Sequence, residues 1–163
     1  MGMAVFFAPV SAAKLEELRR DPDSIEEFLY PDDDEPEGGF DVDKAWHGLH
    51  YLLTGTADRG EGPAAMAILG GEEIGEDLGM GPARFLTPPQ VREVAAALAD
   101  FTESELRANF NPEQMQAFGI YPDIIWVRDG EEALDYLLDN FWPLVDFYTA
   151  AAQRGDGVLL SLG

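Results

Sequence analysis

From Glu131 onward, Leu134, Leu137, Leu138, Phe141, Val145 and Tyr148 recur at helical spacing. The pattern predicts one long helix, bent at Pro143 and ended by Gly155. Gly157 to Leu162 then reads as a strand, and at the other end of the chain Met3 to Val10 is rich in strand formers. A lone strand leaves its backbone groups unpaired, so these two terminal segments are expected in the same sheet.

The segments between them are mostly helical. Ser11 caps a helix carrying Leu15 and Leu18, and Ser24-Ile-Glu-Glu27 has the capping-box pattern for a short helix that Pro31 stops. Asp41 or Asp43 begins a helix over Lys44 to Leu53, with Gly55 placed as its C-terminal cap. Ala64 to Leu69 is apolar and short, and its periodicity fits a helix or a buried strand. Thr87-Pro-Pro-Gln90 opens a helix to about Asp100, Thr102-Glu-Ser-Glu105 opens another, and Asn111-Pro112 starts a third that ends near Gly119. Ile120 to Val127 is a further strand candidate beyond Pro122. The order lacks regular βαβ alternation, which places the chain in the α+β class: several helices packed on a small, mostly antiparallel sheet that includes both terminal strands. No repeat or linker divides the sequence, and one domain over residues 1–163 is expected.

These segments carry a resemblance. Met1-Gly-Met3, the stretch Asp41 to Gly55 with Trp46, His47 and His50, Gly81 to Pro88, Gly119-Ile-Tyr-Pro122, and the Tyr136-to-Tyr148 helix followed by Val158-Leu-Leu together resemble the YfbM-like family, domain of unknown function 1877. The similarity spans nearly the whole chain. It implies an α+β fold and brings no activity, substrate or cofactor with it.

Composition narrows the function classes. Acidic residues number 32 against 10 basic ones, for a formal net charge of −22, which repels phosphate backbones and anionic lipid. Nucleic-acid and membrane partners are disfavoured, and a basic protein is the candidate partner. The absence of cysteine removes disulfides, thiolate catalysis and sulfur-based metal sites, and the start of the chain lacks the basic and apolar regions of an export signal. Phe6 stands where a myristoylation motif needs Ser or Thr. A cytoplasmic protein is the expectation.

On a helix, Asp43, His47, His50 and Thr54 share one stripe beside an apolar arc holding Trp46, Leu49 and Leu53, so Trp46 is expected to be buried. The His pair fits three roles: structural rings with fixed hydrogen bonds, residues lining a pocket or moving a proton, or ligands of a divalent metal. The pair is spaced i, i+3, and no third His or Cys exists to complete a metal site, so neither a metal nor a cofactor is assigned. Asp43 is the expected partner of His47, four residues on.

Arg84 is expected in a salt bridge, with an anionic ligand as the alternative. Tyr121 and Trp126 read as core aromatics, with ligand stacking as the other role. Asp32 to Glu37 reads as a solvated loop, because its spacing is not that of a calcium loop. The chain has no Gly-x-Ser-x-Gly elbow, and its glycine pairs lack the Lys-Ser/Thr of a phosphate loop. The leading function is therefore a non-catalytic acidic interaction module, with an inhibitor or immunity-type protein as one form of it. The alternative is a small enzyme or ligand-binding protein whose pocket is bordered by Asp43, Trp46, His47, His50, Arg84 and Tyr121. A structural homo-oligomer is a third possibility, and the sequence leaves the oligomeric state open.

Overall fold

Gly157 to Leu162 is apolar on both faces, and the computed structural model makes it the centre of the molecule. The model describes residues 2–31 and 38–163, so the expected loop at Asp32 to Glu37 lies outside the described residues. Five strands form one antiparallel sheet: β1 (Val5–Val10), β2 (Phe40–Asp41), β3 (Glu72–Asp77), β4 (Pro82–Leu86) and β5 (Gly157–Leu162), in the order β2-β1-β5-β4-β3. The two terminal strands are neighbours, from Val5 opposite Leu162 to Val10 opposite Gly157. Beyond the strands, Ala4 and Gly163 exchange both backbone hydrogen bonds, at 2.8 and 2.9 Å.

Because side chains alternate across a strand, the sheet buries both faces. Val5, Phe7, Leu86, Val158 and Leu160 join the larger apolar cluster, whereas Ala8, Val10, Phe85 and Leu159 join the smaller one. The smaller cluster is closed by α1 (Ala12–Arg20) and α2 (Ile25–Leu29) through Leu15, Leu18, Ile25 and Leu29. On the other face pack α3 (Trp46–Thr54), α4 (Pro63–Leu69), α5 (Pro88–Ala99), α6 (Glu103–Asn109), α7 (Pro112–Ala117), α8 (Ile125–Asp129) and α9 (Glu131–Arg154). The α+β architecture, with helices on an antiparallel sheet that holds both terminal strands, is the one expected from sequence.

Several local signals are realised. Ser11, Thr87, Thr102 and Asn111 each accept a backbone N–H at their helix start, and Thr87 and Thr102 form full capping boxes with Gln90 and Glu105. Gly55 and Gly155 end α3 and α9 in the left-handed region. Pro143 lies within α9. The ambiguous Ala64-to-Leu69 stretch is helical.

Three local expectations are corrected. Ile120 to Val127 is not a strand: Asp123 donates its N–H to Ile120 at 2.8 Å, so the chain turns there, and α8 follows with Trp126 buried between exposed Ile124 and Val127. Ser24 makes no capping bond. It closes a 3-10 turn over Pro22–Ser24, and its Oγ donates instead to the Asp21 carbonyl at 2.7 Å. Neither Asp41 nor Asp43 caps α3: Asp41 Oδ1 accepts from the Asp43 N–H at 2.8 Å, and a 3-10 turn over Asp43–Ala45 leads into the helix.

Candidate functional site

Helix α3 presents Trp46, His47 and His50 to three separate pieces of chain. Trp46 is 5% exposed, as its place on the apolar arc requires, and its Nε1–H donates to the Met3 carbonyl at 2.9 Å. Its indole stacks on the His47 ring at 4.8 Å and on Tyr121 at 5.7 Å. Tyr121 in turn accepts the Met3 N–H on its hydroxyl at 2.8 Å. The segment before β1, the start of α3 and the turn after α7 are thereby joined through one aromatic stack.

His47 uses both ring nitrogens on backbone. Its Nδ1 accepts the Tyr121 N–H at 2.9 Å, so Nδ1 carries no proton, and the proton resides on Nε2, which donates to the Ala57 carbonyl at 3.0 Å. One turn on, His50 is fully buried and its Nε2–H donates to the Asp58 carbonyl at 2.5 Å. Among the described residues, the His50 Nδ1 finds no hydrogen-bond partner in its buried place. The two rings thus hold consecutive carbonyls of the loop that follows α3. Burial pushes both below the usual histidine value; the Ala57 bond and the Asp58 charge oppose this at His47, while the Asp58 bond opposes it at His50 and the charges of His47 and Arg84 add to it.

Asp43 does not partner His47. It lies in the 3-10 turn with φ +54, where the i, i+4 geometry of an α-helix does not apply, and its Oδ2 accepts from the Tyr136 hydroxyl of α9 at 2.7 Å. Burial of Tyr136, helped by its bond to Asp43, raises that phenol above its usual value.

Arg84 also departs from expectation. Among the described residues it forms no salt bridge; its guanidinium donates to the Gly70 carbonyl at 2.5 Å and to the Ile68 carbonyl at 3.2 Å, satisfying the open C-terminal end of α4. Arg59 adds a bond to the Gly71 carbonyl at 2.6 Å. Burial, reinforced by the charge of Arg59, brings Arg84 down to about 10, so it stays cationic at neutral pH. The helix end, with its partial negative charge, takes the place that a carboxylate would have filled.

The candidate residues therefore fall into two groups. Trp46, His47 and Tyr121 meet in one stack, with His50 beside them; Asp43 and Arg84 are engaged elsewhere, on α9 and α4. Among the described residues, no group of three or more His, Asp or Glu side chains is placed to hold a metal ion. A cleft of about 860 Å³ lies on the opposite face of the sheet, lined by Lys14, Glu27, Phe28, Arg154 and Asp156 among others, and none of the candidate residues borders it.

Sequence reasoning missed the most open feature of α9. Glu132, Asp135, Asp139, Trp142 and Asp146 are all exposed and fall on one helical stripe opposite the buried Leu134, Leu137, Phe141 and Leu144. Trp142 is 41% exposed and rests edge-on against Phe141 at 4.8 Å. The polar side of the same helical wheel that predicted the core holds this stripe. No helix among the described residues is long and apolar enough to cross a membrane.

Comparison with known proteins agrees with this architecture. Protein YfbM of Escherichia coli (strain K12) is 29% identical over 170 residues, covering 98% of this chain and 97% of the relative. The crystal structure of YfbM from Escherichia coli, described as a protein of unknown function, superposes with a TM-score of 0.79 at 21% identity, over 98% of this chain and 99% of that one, which establishes a shared fold. The family profile described as "Domain of unknown function (DUF1877)" matches residues 1–161, and the chain belongs to that family.

Proposed function

We propose that this protein is a non-catalytic interaction module whose acidic surface receives a basic protein partner, with the outer stripe of α9 as the receiving face. The observation that carries the reading is the stripe itself. Carboxylates at Glu132, Asp135, Asp139 and Asp146 share a helical stripe with an accessible indole, and an arginine or lysine of a partner stacked on Trp142 would meet Asp139 and Asp146 one turn to either side. Among the described residues, half of the ten basic side chains already face carboxylates of this chain. Lys14, Arg19, Arg128 and Arg154 already pair with Glu17, Glu16, Asp129 and Asp156, and Arg107 is shared between Glu103 and the edge of the stripe at Asp135.

An inhibitor or immunity-type protein that masks a basic target is one form this function would take. The competing reading, a small enzyme or ligand-binding protein with its pocket at Asp43, His47 and His50, has less support because both Nε2 atoms already donate to backbone and Asp43 faces Tyr136. The test is retention of proteins from the native lysate on the immobilised chain at low and high salt, beside a Trp142→Ala, Asp139→Asn, Asp146→Asn variant. A basic partner held at low salt, released at high salt and lost by the variant is expected. Finding no such partner, or one indifferent to the variant, would count against this role for α9.

A further inference from the structure

We propose that His47 is an acid-released latch that joins the loop after α3 to the turn after α7 only while its ring is neutral. The case is geometric. One ring nitrogen must be a bare acceptor for the Tyr121 N–H at 2.9 Å, and the other must carry the proton given to the Ala57 carbonyl at 3.0 Å. Only the neutral Nε2–H tautomer does both. A second proton has to go onto Nδ1, where it would face the Tyr121 N–H, so a cationic His47 keeps the loop and loses the turn.

The Tyr121 side chain itself has few anchors, although the backbone beside it is fixed by buried Ile120, whose carbonyl accepts from Trp126 Nε1–H at 2.8 Å. Tyr121 is half-buried, and it is tied to the rest of the molecule by its stack on Trp46 and the hydroxyl that accepts from Met3. Losing the Tyr121 N–H bond therefore removes one of the ties on the aromatic stack, while Met3 stays bonded to Trp46 and Ala4 to Gly163.

The charged groups around the latch set the direction. Asp58, on the loop, favours the proton on His47. His50, one turn along α3, is itself influenced by Asp58, by His47 and by Arg84 of β4. Lys44, from the 3-10 turn, lies against Gly2, next to the Tyr121 hydroxyl. Asp43 is occupied by Tyr136. Burial outweighs the pull of Asp58, so the folded ring titrates below its unfolded value. A histidine depressed in this way contributes its full stability above the unfolded value of about 6.5 and loses it as pH falls through the folded one.

The device is tested by amide hydrogen exchange followed by NMR from pH 7.5 to pH 4.5, in the His50→Gln background so that one ring titrates alone. The protection of the Tyr121 amide, corrected for intrinsic exchange, is expected to fall roughly tenfold per pH unit from about 6.5 down to the folded value, and to stay below that of Leu160 in the central strand, which exchanges only through global opening. Asn in place of His47 puts a carbonyl oxygen where Nδ1 was and does not titrate, so Tyr121 protection in His47→Asn should lose its pH dependence. Should that variant fail to fold, the ring titration of His47 itself decides, with the Tyr121 amide shift expected to follow the same curve below 6.5. Tyr121 protection that ignores pH while His47 titrates would overturn the latch. So would titration of His47 at or above 6.5, or Tyr121 protection equal to that of Leu160 at every pH, which is global unfolding.

Discussion

Trp46 fills a buried site at the start of α3, gives its N–H to Met3 and stacks on both His47 and Tyr121. Trp46→Ala is expected to cost about 3–5 kcal/mol, seen as a lower urea midpoint at an unchanged slope. That burial was legible, because an indole on the apolar arc with Leu49 has one place to go. The partners of polar residues were not. Helical spacing pairs Asp43 with His47, but a positive φ at Asp43 takes it off the helix, and Tyr136 lies 93 positions away in sequence. A chain so rich in carboxylates points Arg84 to a salt bridge, yet its guanidinium bonds the open carbonyls at the end of α4. Backbone acceptors outnumber side-chain ones in any fold and leave no mark in a sequence, which is why both histidines read as site candidates when their nitrogens were destined for Ala57, Asp58 and Tyr121.

Gly48 shows what an element needs from a single position. It lies buried in the middle of α3, where a Cβ would come within 2.6 Å of Trp126 Cη2 and 2.7 Å of Leu137 Cδ2. Helix propensity favours Gly48→Ala by about 1 kcal/mol, but overpacking a closed contact costs about 1–3 kcal/mol. A net loss of about 1 kcal/mol or more is expected in denaturant unfolding; a stabilised variant would mean that Trp126 and Leu137 move aside freely. At this scale the capped helices were the easy reading, since Thr87 and Thr102 advertise their role within four residues. Strands were harder. β3 exposes all its residues except Ile74, so the alternation that marks a half-buried strand is absent, and β2 is only two residues long. Ile120 to Val127 has the composition of a strand, but the Asp123 N–H closes a turn onto the Ile120 carbonyl and α8 begins two residues later.

Over the whole molecule, the charge of −22 works against compactness, since like charges are brought closer by folding than they are in the open chain. Added salt shortens the screening length from about 10 Å at 0.1 M to about 3 Å at 1 M, so the midpoint of thermal unfolding should rise as salt is added across that range. A midpoint that falls instead would show that attractive pairs such as Arg128–Asp129 outweigh the repulsion. The architecture itself was legible at this scale because the two apolar terminal segments had to find partners, and each is the other's. Ala4 and Gly163 extend that pairing to the last residue. Ala4 and Gly163 lie side by side, so a pair of dyes attached at those two positions would start together, and their separation would report the parting of β1 from β5 directly, without any change to the body between them.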